Sequence, residues 1–358
     1  MLGRNQDEQV PATLEEILSQ PRIWRQCLTD LHRTGVIDGI LQEAKSRTEW
    51  VFIGCGSSFY LAEAAAATWT LLTGQAARAL PASEPLLFPD LAARARENTQ
   101  VVVISRSGQT SEAVRAAHLF SRKYRVPTLG ITCSAESLLE KTCDRTVRLL
   151  AADEKSMVMT RSFSSMLLML QSLAGGKSSR SEFPSSLEQM SDHLARGIGS
   201  LAARIEEFAR ARVFADYVFL GQGPFYAVAR EASLKVTEMS RCYGQAFHTL
   251  EFRHGPKAIV GPETCLVFFL SESALLPESE VLAEMHDLGG VTVSVCNHAN
   301  DDIRRSSDFL FELGFDGPEL ATVAPFIVPA QLLGLFTGIQ KNLNPDAPKN
   351  LSRVVILD

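Results

Sequence analysis

The stretch Val51-Phe-Ile-Gly-Cys-Gly-Ser-Ser-Phe-Tyr60 returns 167 residues later as Val218-Phe-Leu-Gly-Gln-Gly-Pro-Phe-Tyr226. Each copy has the pattern of a short apolar strand, a Gly-x-Gly turn, a Phe-Tyr pair and an Ala-rich helix. The separation is about one domain length. A chance match is the alternative, but the pattern favours an internal duplication, which often places a binding site between the two similar domains.

Composition narrows the class of protein. The chain has 358 residues, 46% apolar and 21% charged, with 35 Lys plus Arg against 41 Asp plus Glu and a net charge of −6. This is the balance of a globular protein of about two domains. We expect no nucleic-acid partner, because Lys and Arg must neutralise backbone phosphates and no basic tract is present.

The N-terminal sequence lacks the basic and apolar regions of a secretory signal, and the apolar stretch 326–338 is too short to span a bilayer. We therefore expect a cytoplasmic protein without a membrane partner. The seven cysteines form no CxxC pair and lie mostly in apolar surroundings, which predicts reduced core residues. HExxH and HxxEH motifs are absent, so no metal site is predicted.

Short β-branched runs alternate with longer helical stretches along the chain. Most of the runs are continuously apolar, as in strands buried on both faces. Strands are predicted at 50–53, 100–105, 128–132, 146–149, 217–220, 265–270, 291–295 and 309–312, with helices at 60–72, 111–123 and 226–240. This alternation predicts an α/β fold with parallel sheets and crossover helices. The Gly- and Ser-rich stretch 175–184 is the best candidate for a linker.

Two polar loops each follow a predicted strand and precede a predicted helix. They are Gly54-Cys-Gly-Ser-Ser58 and Ser105-Arg-Ser-Gly-Gln-Thr110. Hydroxyls beside uncovered helix amides suit a phosphate monoester, and Arg106 could add a charge-assisted bond or lie in solvent. The alternative is a pair of ordinary loops that cap their own helices. Two such loops on neighbouring strands favour an anion site.

Two further segments carry groups able to move protons. Glu231, Lys235 and Glu238 fall at i, i+4 and i+7, on one face of a predicted helix. That face is either a solvated row of ion pairs or a site in which Lys235 positions Glu238 as a general base. His254, followed by Gly-Pro, is either a group that exchanges protons near neutral pH or an ordinary surface histidine.

The chain ends in the apolar run Val354-Val-Ile-Leu357 before Asp358, whereas a frayed terminus is more often polar. We therefore expect the tail to dock on the body of the protein, carrying Lys349 and Arg353 with it.

Together and in this order, these motifs resemble those of the sugar isomerase (SIS) family. The chain is similar along nearly its whole length to double-SIS enzymes: the isomerase half of glucosamine-6-phosphate synthase, tagatose-6-phosphate ketose/aldose isomerases and galactosamine-6-phosphate deaminases. The segments Glu15-Glu-Ile-Leu-Ser-Gln-Pro-Arg-Ile-Trp24, Arg230-Glu-Ala-Ser-Leu-Lys-Val236 and Phe252-Arg-His-Gly-Pro-Lys257 contribute to this match.

The resemblance implies two flavodoxin-like, three-layer domains with parallel sheets in a homodimer. Residues 1–183 would hold a helical lead-in and the first SIS domain, residues 195–342 the second, and residues 343–358 a tail that closes over the site. The amide-hydrolysing half of the synthase and a helix-turn-helix repressor domain have no counterpart here, so neither a synthase nor a repressor is expected.

The resemblance also assigns roles to residues. Glu238 would transfer the proton, Lys235 would assist it, and His254 of the partner protomer would open the sugar ring. Arg353 replaces a lysine of the synthase; it cannot form a Schiff base but can polarise a carbonyl. The residues implied to bind substrate or phosphate are Gly56, Ser57, Ser58, Ser105, Arg106, Ser107, Gln109, Thr110 and Thr160.

Two positions depart from the synthase pattern. Arg106 replaces a glutamine and adds a charge to the loop, and Met159 replaces a serine that touches substrate in the synthase.

The expected substrate is a hexose 6-phosphate or an amino-hexose 6-phosphate. The expected activity is aldose/ketose isomerisation, and the favoured form of it is the deamination and isomerisation of an amino-hexose 6-phosphate. The expected route is ring opening and proton transfer between C1 and C2, without a metal or organic cofactor. A non-catalytic sugar-phosphate sensor and a fructosamine-6-phosphate deglycase are the alternatives.

Overall fold

A computed structural model of the chain describes residues 10–92 and 98–357. Residues 1–9, 93–97 and 358, which belong to the predicted ranges 1–183 and 343–358, lie outside the described residues. The strands are β1 Glu49–Gly54, β2 Ala76–Pro81, β3 Thr99–Ile104, β4 Thr128–Thr132, β5 Arg145–Arg148, β6 Asp216–Gly221, β7 Gly244–His248, β8 Thr264–Phe269, β9 Val291–Cys296 and β10 Phe309–Glu312.

Helices cover both sheets, and three of them fill most of residues 12–43, before the first strand. They are α1 Ala12–Leu18, α2 Gln20–Thr34, α3 Val36–Glu43, α4 Ser57–Thr73, α5 Glu84–Leu87, α6 Pro89–Ala92, α7 Ser111–His118, α8 Leu138–Thr142, α9 Arg161–Lys177, α10 Phe183–Ala195, α11 Ile198–Ala211, α12 Pro224–Ser240, α13 Leu275–Asp287, α14 Asp301–Arg305 and α15 Ile327–Gln340.

The ten strands form two five-stranded parallel sheets with the same internal order. The first sheet runs β2-β1-β3-β4-β5 and the second β7-β6-β8-β9-β10. This is the flavodoxin-like order, in which the chain reverses direction across the sheet after its second strand. The turns also match, since Gly56 has φ 54° and Gly223 has φ 53°. The predicted α/β fold and its duplication are confirmed.

The two halves share one hydrophobic core, in which α12 packs against α4 of the first half and α15 of the second. Close packing fixes the position of α12, because a Cβ added at Gly338 of α15 would lie 2.3 Å from the backbone oxygen of Met239. Arg230 of α12 also forms an ion pair with Glu63 of α4, 2.5 Å apart, and its guanidinium lies over the Tyr60 ring. The helix is therefore held between the two sheets.

Two predictions about segments need correction. Half of the expected linker at 175–184 is helical: α9 continues to Lys177 and α10 begins at Phe183, so residues 178–182 alone lie between them. The apolar stretch 326–338 belongs to a 22-residue helical stretch, Glu319–Gln340, whose most apolar 18 residues have a mean hydropathy of 1.7. Among the described residues, this helical stretch alone is long and apolar enough to cross a membrane. Its most apolar 18 residues are fully buried inside the protein, and this burial accounts for their composition.

Candidate active site

The first polar loop brings buried hydroxyls to the carboxyl end of β1. Gly56 precedes α4, and Ser57 and Ser58 form the first turn of that helix. Both serines are buried, and the Ser58 hydroxyl lies 3.9 Å from the Met159 sulfur. The loop therefore has the helix amides and hydroxyls that the sequence predicted, in a site shielded from bulk water.

The second polar loop lies beside the first, because β3 is the neighbour of β1 in the sheet. The Ser105 hydroxyl accepts a hydrogen bond from the Gly108 amide at 3.1 Å and donates to the Thr110 hydroxyl at 3.3 Å. The Ser107 hydroxyl accepts from the amide of Gln109 at 3.2 Å. The loop is thus folded on its own hydroxyls, immediately before the amide end of α7.

Gly108 is required at the tip of this loop for two physical reasons. Its φ of 61° is a conformation that other residues rarely adopt. A Cβ at this position would also lie 2.4 Å from the side chain of Ser137. The tight turn that orients Ser105 and Ser107 therefore depends on glycine.

The helix face that carries Glu231, Lys235 and Glu238 is buried at the junction of the two halves. Glu231 and Lys235 are fully buried, and the Glu238 side chain is 17% exposed. Lys235 Nζ donates to Glu238 Oε2 at 2.5 Å and to the Ser57 hydroxyl of the first half at 3.1 Å. The same Nζ lies 3.3 Å from Glu231 Oε1. The solvated-face interpretation is wrong, because these groups face the first polar loop.

Burial sets the charges of this cluster. Desolvation raises the pKa of Glu231 to about 8, and the nearby Lys235 only partly offsets it. Burial lowers the pKa of Lys235, but Glu231 and Glu238 outweigh that effect and raise it above its ordinary value. At neutral pH, Glu231 therefore holds its proton, while Lys235 remains a cation beside Glu238.

Arg106 turns away from solvent toward a buried carboxylate. Its guanidinium donates to the carbonyl oxygens of Met157 at 2.9 Å and Arg353 at 3.0 Å, and lies 3.5 Å from Glu154. The Arg106 side chain is 5% exposed, so the suggestion that it lies in solvent is wrong. Thr160 is also buried, and its amide and hydroxyl donate to Glu154 at 2.6 and 2.8 Å.

The tail, residues 343–357, is hydrogen-bonded to the body of the first half. The Val355 carbonyl accepts from the Ser111 amide at the start of α7, at 3.2 Å, and the Leu357 amide donates to the Ser111 hydroxyl at 2.9 Å. The side chain of Arg353 forms an ion pair with Asp153, 2.6 Å apart, and is 41% exposed. The tail thus lies against the helix that follows the second loop.

His254 is exposed in the single chain, directly after the short 3-10 turn Glu251–Arg253. Its neighbours Arg253 and Lys257 both bond to Glu284 at 2.7 Å, which fixes the segment on α13. Among the described residues, the hydrogen-bond and ion-pair partners of Lys235 are Ser57, Glu231 and Glu238, and do not include His254. Its role in ring opening, from a second copy of the chain, stays a prediction.

Sequence reasoning missed the acidic residues that organise the segment before α9. Glu154 receives hydrogen bonds from Thr160 and Ser162, and Glu16 of α1 receives them from Lys155 and Ser156. Burial raises the pKa of Glu16. The available signal was the run of serines and threonines at 156–165, which offers donors to a buried carboxylate.

The cysteines are mostly buried in the structure. Burial raises the pKa of Cys55 to about 11, so this thiol in the first loop stays protonated. Within 10–92 and 98–357, all seven cysteines are free and no cluster of ligands suits a metal ion.

The structure thus places two neighbouring hydroxyl-lined loops of the first half beside the buried Glu-Lys-Glu cluster of the second. The SIS domain model matches residues 44–175 and 216–328, which is more than half of the sequence. The chain belongs to the SIS domain family.

Solved structures with the same fold include two phosphosugar enzymes. Glucosamine-6-phosphate deaminase from Thermotoga maritima is 28% identical, with a TM-score of 0.80 over 97% of this chain and 100% of that one. Tagatose-6-phosphate ketose/aldose isomerase from Escherichia coli is 21% identical, with a TM-score of 0.83 over 95% and 98%, and shows the fold alone.

Glutamine–fructose-6-phosphate aminotransferase (isomerizing) from Haemophilus influenzae is 27% identical over 353 residues. This alignment covers 91% of the present chain and 55% of the relative. The chain spans about half the length of the curated relatives it matches.

Proposed function

We propose that the protein is an amino-hexose 6-phosphate deaminase/isomerase. The observation that carries this proposal is the 3.1 Å bond from Lys235 to Ser57, which joins the acid–base cluster of one half to the polar loop of the other. The likeness to the Thermotoga maritima glucosamine-6-phosphate deaminase along nearly the whole of both chains supports an amino sugar as the substrate.

The phosphate would bind the loop 105–110 and the adjacent first turn of α4. Ser105, Ser107 and Thr110 offer hydroxyls, and the loop amides offer further donors. Gly56, Ser58, Gln109 and Thr160 would complete or support this site. Binding energy gained at the phosphate would orient the far end of the sugar for reaction.

Glu238 would act as the general base. It is the one member of the cluster with an exposed edge, and its bond to Lys235 fixes the carboxylate. It would remove the proton from C2 of the open-chain aldehyde and return it to C1. Lys235 would stabilise the negative charge that develops on the sugar oxygen.

An amino group at C2 makes the same proton transfer a deamination. Loss of the C2 proton gives an enolamine, and protonation at C1 gives a C2 imine. Water then adds to the imine carbon and ammonia leaves, which yields the ketose phosphate. With a hydroxyl at C2 the product is the isomeric ketose, so the C2 substituent alone decides between the two reactions.

Ring opening would come from His254 of a second copy of the chain, in a homodimer. The exposure of His254 in the single chain and its rigid attachment through Glu284 support this arrangement. Arg353 would polarise a carbonyl oxygen once its bond to Asp153 opens.

A panel of amino-, keto- and aldo-hexose 6-phosphates in deuterated buffer tests the proposal. Ammonia release with deuterium at C1 of the product supports it, and ammonia-free exchange would restrict the activity to isomerisation. Release of an amino acid from a fructosamine 6-phosphate would indicate a deglycase. Binding with neither product formation nor carbon-bound deuterium would indicate a sensor and would overturn the proposed catalysis.

A further inference from the structure

Arg106 lies in the second polar loop, but its side chain serves a different part of the molecule. Its backbone is locked in the loop, because its carbonyl accepts from the Cys133 amide at 2.9 Å and the Thr132 hydroxyl at 3.0 Å. Its guanidinium bonds instead to the carbonyls of Met157 and Arg353. One side chain therefore joins the loop, the segment before α9 and the tail.

The charge of Arg106 is already balanced inside the protein. The Glu154 carboxylate lies 3.5 Å from its guanidinium, and both side chains are almost fully buried. Thr160 and Ser162, at the start of α9, also donate to this carboxylate. A buried guanidinium held in this way has little freedom to swing toward a phosphate bound at the loop hydroxyls.

The tail segment that Arg106 holds covers the amide end of α7. Two residues beyond the Arg353 carbonyl, Val355 accepts from the Ser111 amide at 3.2 Å. Leu357 then bonds to the hydroxyl of Ser111. Fastening the tail at residue 353 therefore places the next residues on the helix terminus that follows the loop.

We propose that Arg106 is a positioning residue that fastens the C-terminal tail beside the second polar loop, rather than a ligand of the phosphate. One consequence of this attachment rests on the proposed function: if the loop binds a phosphate, phosphate binding and the order of the tail depend on one another. The contacts that Arg106 makes with the tail do not depend on the proposed function.

Hydrogen exchange on the full-length protein without ligand tests the attachment. The readouts are the Ser111 and Leu357 amides, whose partners depend on the docked tail, and the Val102 amide of β3 as a core reference. We expect Arg106→Gln to speed exchange at both tail-dependent amides at least ~10-fold and to leave Val102 unchanged, because two charge-assisted bonds are lost.

Arg161→Gln is the matched control. It removes one positive charge from the same region, and Arg161 bonds to the Asp153 carbonyl and to Ser19 rather than to the tail. We expect it to change exchange at Ser111 and Leu357 by less than ~2-fold, since the tail keeps its bonds to Arg106.

Three results would overturn the proposal. One is unchanged exchange at Ser111 and Leu357 in Arg106→Gln, whether or not affinity for inorganic phosphate falls. Another is equal acceleration at Val102, which would indicate a general packing role. If Arg106→Gln does not fold, Arg106→Lys replaces it in the test. We expect exchange at the Ser111 and Leu357 amides to be more than ~2-fold faster in Arg106→Lys, because an ammonium reaches fewer acceptors than a guanidinium. Unchanged exchange in that variant is the third result that would refute the attachment.

These results are independent of turnover. A protein that fails to convert any phosphosugar could still show tail release in Arg106→Gln, so failure of the proposed function and failure of this inference are distinguishable. If the loop binds phosphate and Arg106 fastens the tail, inorganic phosphate should slow exchange at the Leu357 amide in the wild type and should slow it less in Arg106→Gln.

Discussion

Replacing Lys235 by methionine removes the cation at the centre of the site while keeping the volume and apolar stem of the side chain. Glu238 loses its partner at 2.5 Å, and the Ser57 hydroxyl loses its donor at 3.1 Å. Glu231 already holds its proton at neutral pH, because burial raises its pKa to about 8. The variant is therefore left with one uncompensated carboxylate at the junction of the two halves.

The burial of Lys235 and Glu238 sets how much stability the Lys235→Met variant loses. Removing one partner of a buried ion pair costs about 3–5 kcal/mol. The Glu238 side chain is 17% exposed, so water relieves part of this cost. We expect Lys235→Met to lower the free energy of unfolding by ~2–4 kcal/mol at pH 8. The loss should be smaller at pH 5, because a carboxylate without its cation takes up a proton more readily.

Urea unfolding of wild type and variant at pH 5 and pH 8 measures the loss in the free energy of unfolding and its dependence on pH. Lys257→Met is the matched control, since Lys257 pairs with Glu284 at 2.7 Å but is 40% exposed. The control should lose about 1 kcal/mol or less at either pH. A Lys235→Met loss that equals the control, or one that grows on acidification, would refute this account of the cluster.

Three further predictions concern the loop, the pH dependence and the junction. Ser107→Ala should weaken inorganic phosphate binding by about 5–10-fold, measured by calorimetry, with Ser185→Ala unchanged. Between pH 4.5 and 8, Glu231 keeps its proton in the folded chain but has lost it in the unfolded chain. Wild-type stability should therefore fall relative to Glu231→Gln as the pH rises toward 8, and parallel plots of the free energy of unfolding against pH would contradict this. A double-mutant cycle of Glu63→Gln and Arg230→Gln should give a coupling of ~1 kcal/mol, and independent effects would argue against the ion pair between halves.

Strands buried on both faces could be read from the sequence. The runs predicted at 128–132 and 309–312 coincide with β4 and β10, and each of the other predicted runs differs from its strand by one residue at one or both ends. Both missed strands, β2 and β7, are edge strands with half-exposed residues. Their sequences, AARALP and GQAFH, lack the continuous apolar run that identifies a buried strand.

The site was only partly predictable because its key contacts cross the whole chain. Helical spacing placed Glu231, Lys235 and Glu238 on one face, but spacing cannot tell a buried face from a solvated one. The decisive contact, from Lys235 to Ser57, joins residues 178 positions apart. The orientation of Arg106 was equally hidden, because the carbonyl of Arg353 that it holds lies 247 positions later.

Catalysis by the proposed route depends on the carboxylate of Glu238 as the group that moves a carbon-bound proton. The direct measurement is deuterium incorporation at carbon from deuterated water during incubation with glucosamine 6-phosphate, for wild type, Glu238→Gln and the exposed-site control Glu280→Gln. We expect exchange at least ~100-fold slower in Glu238→Gln, with inorganic phosphate affinity within ~3-fold of wild type and the control unchanged. Exchange by Glu238→Gln at the wild-type rate would contradict it.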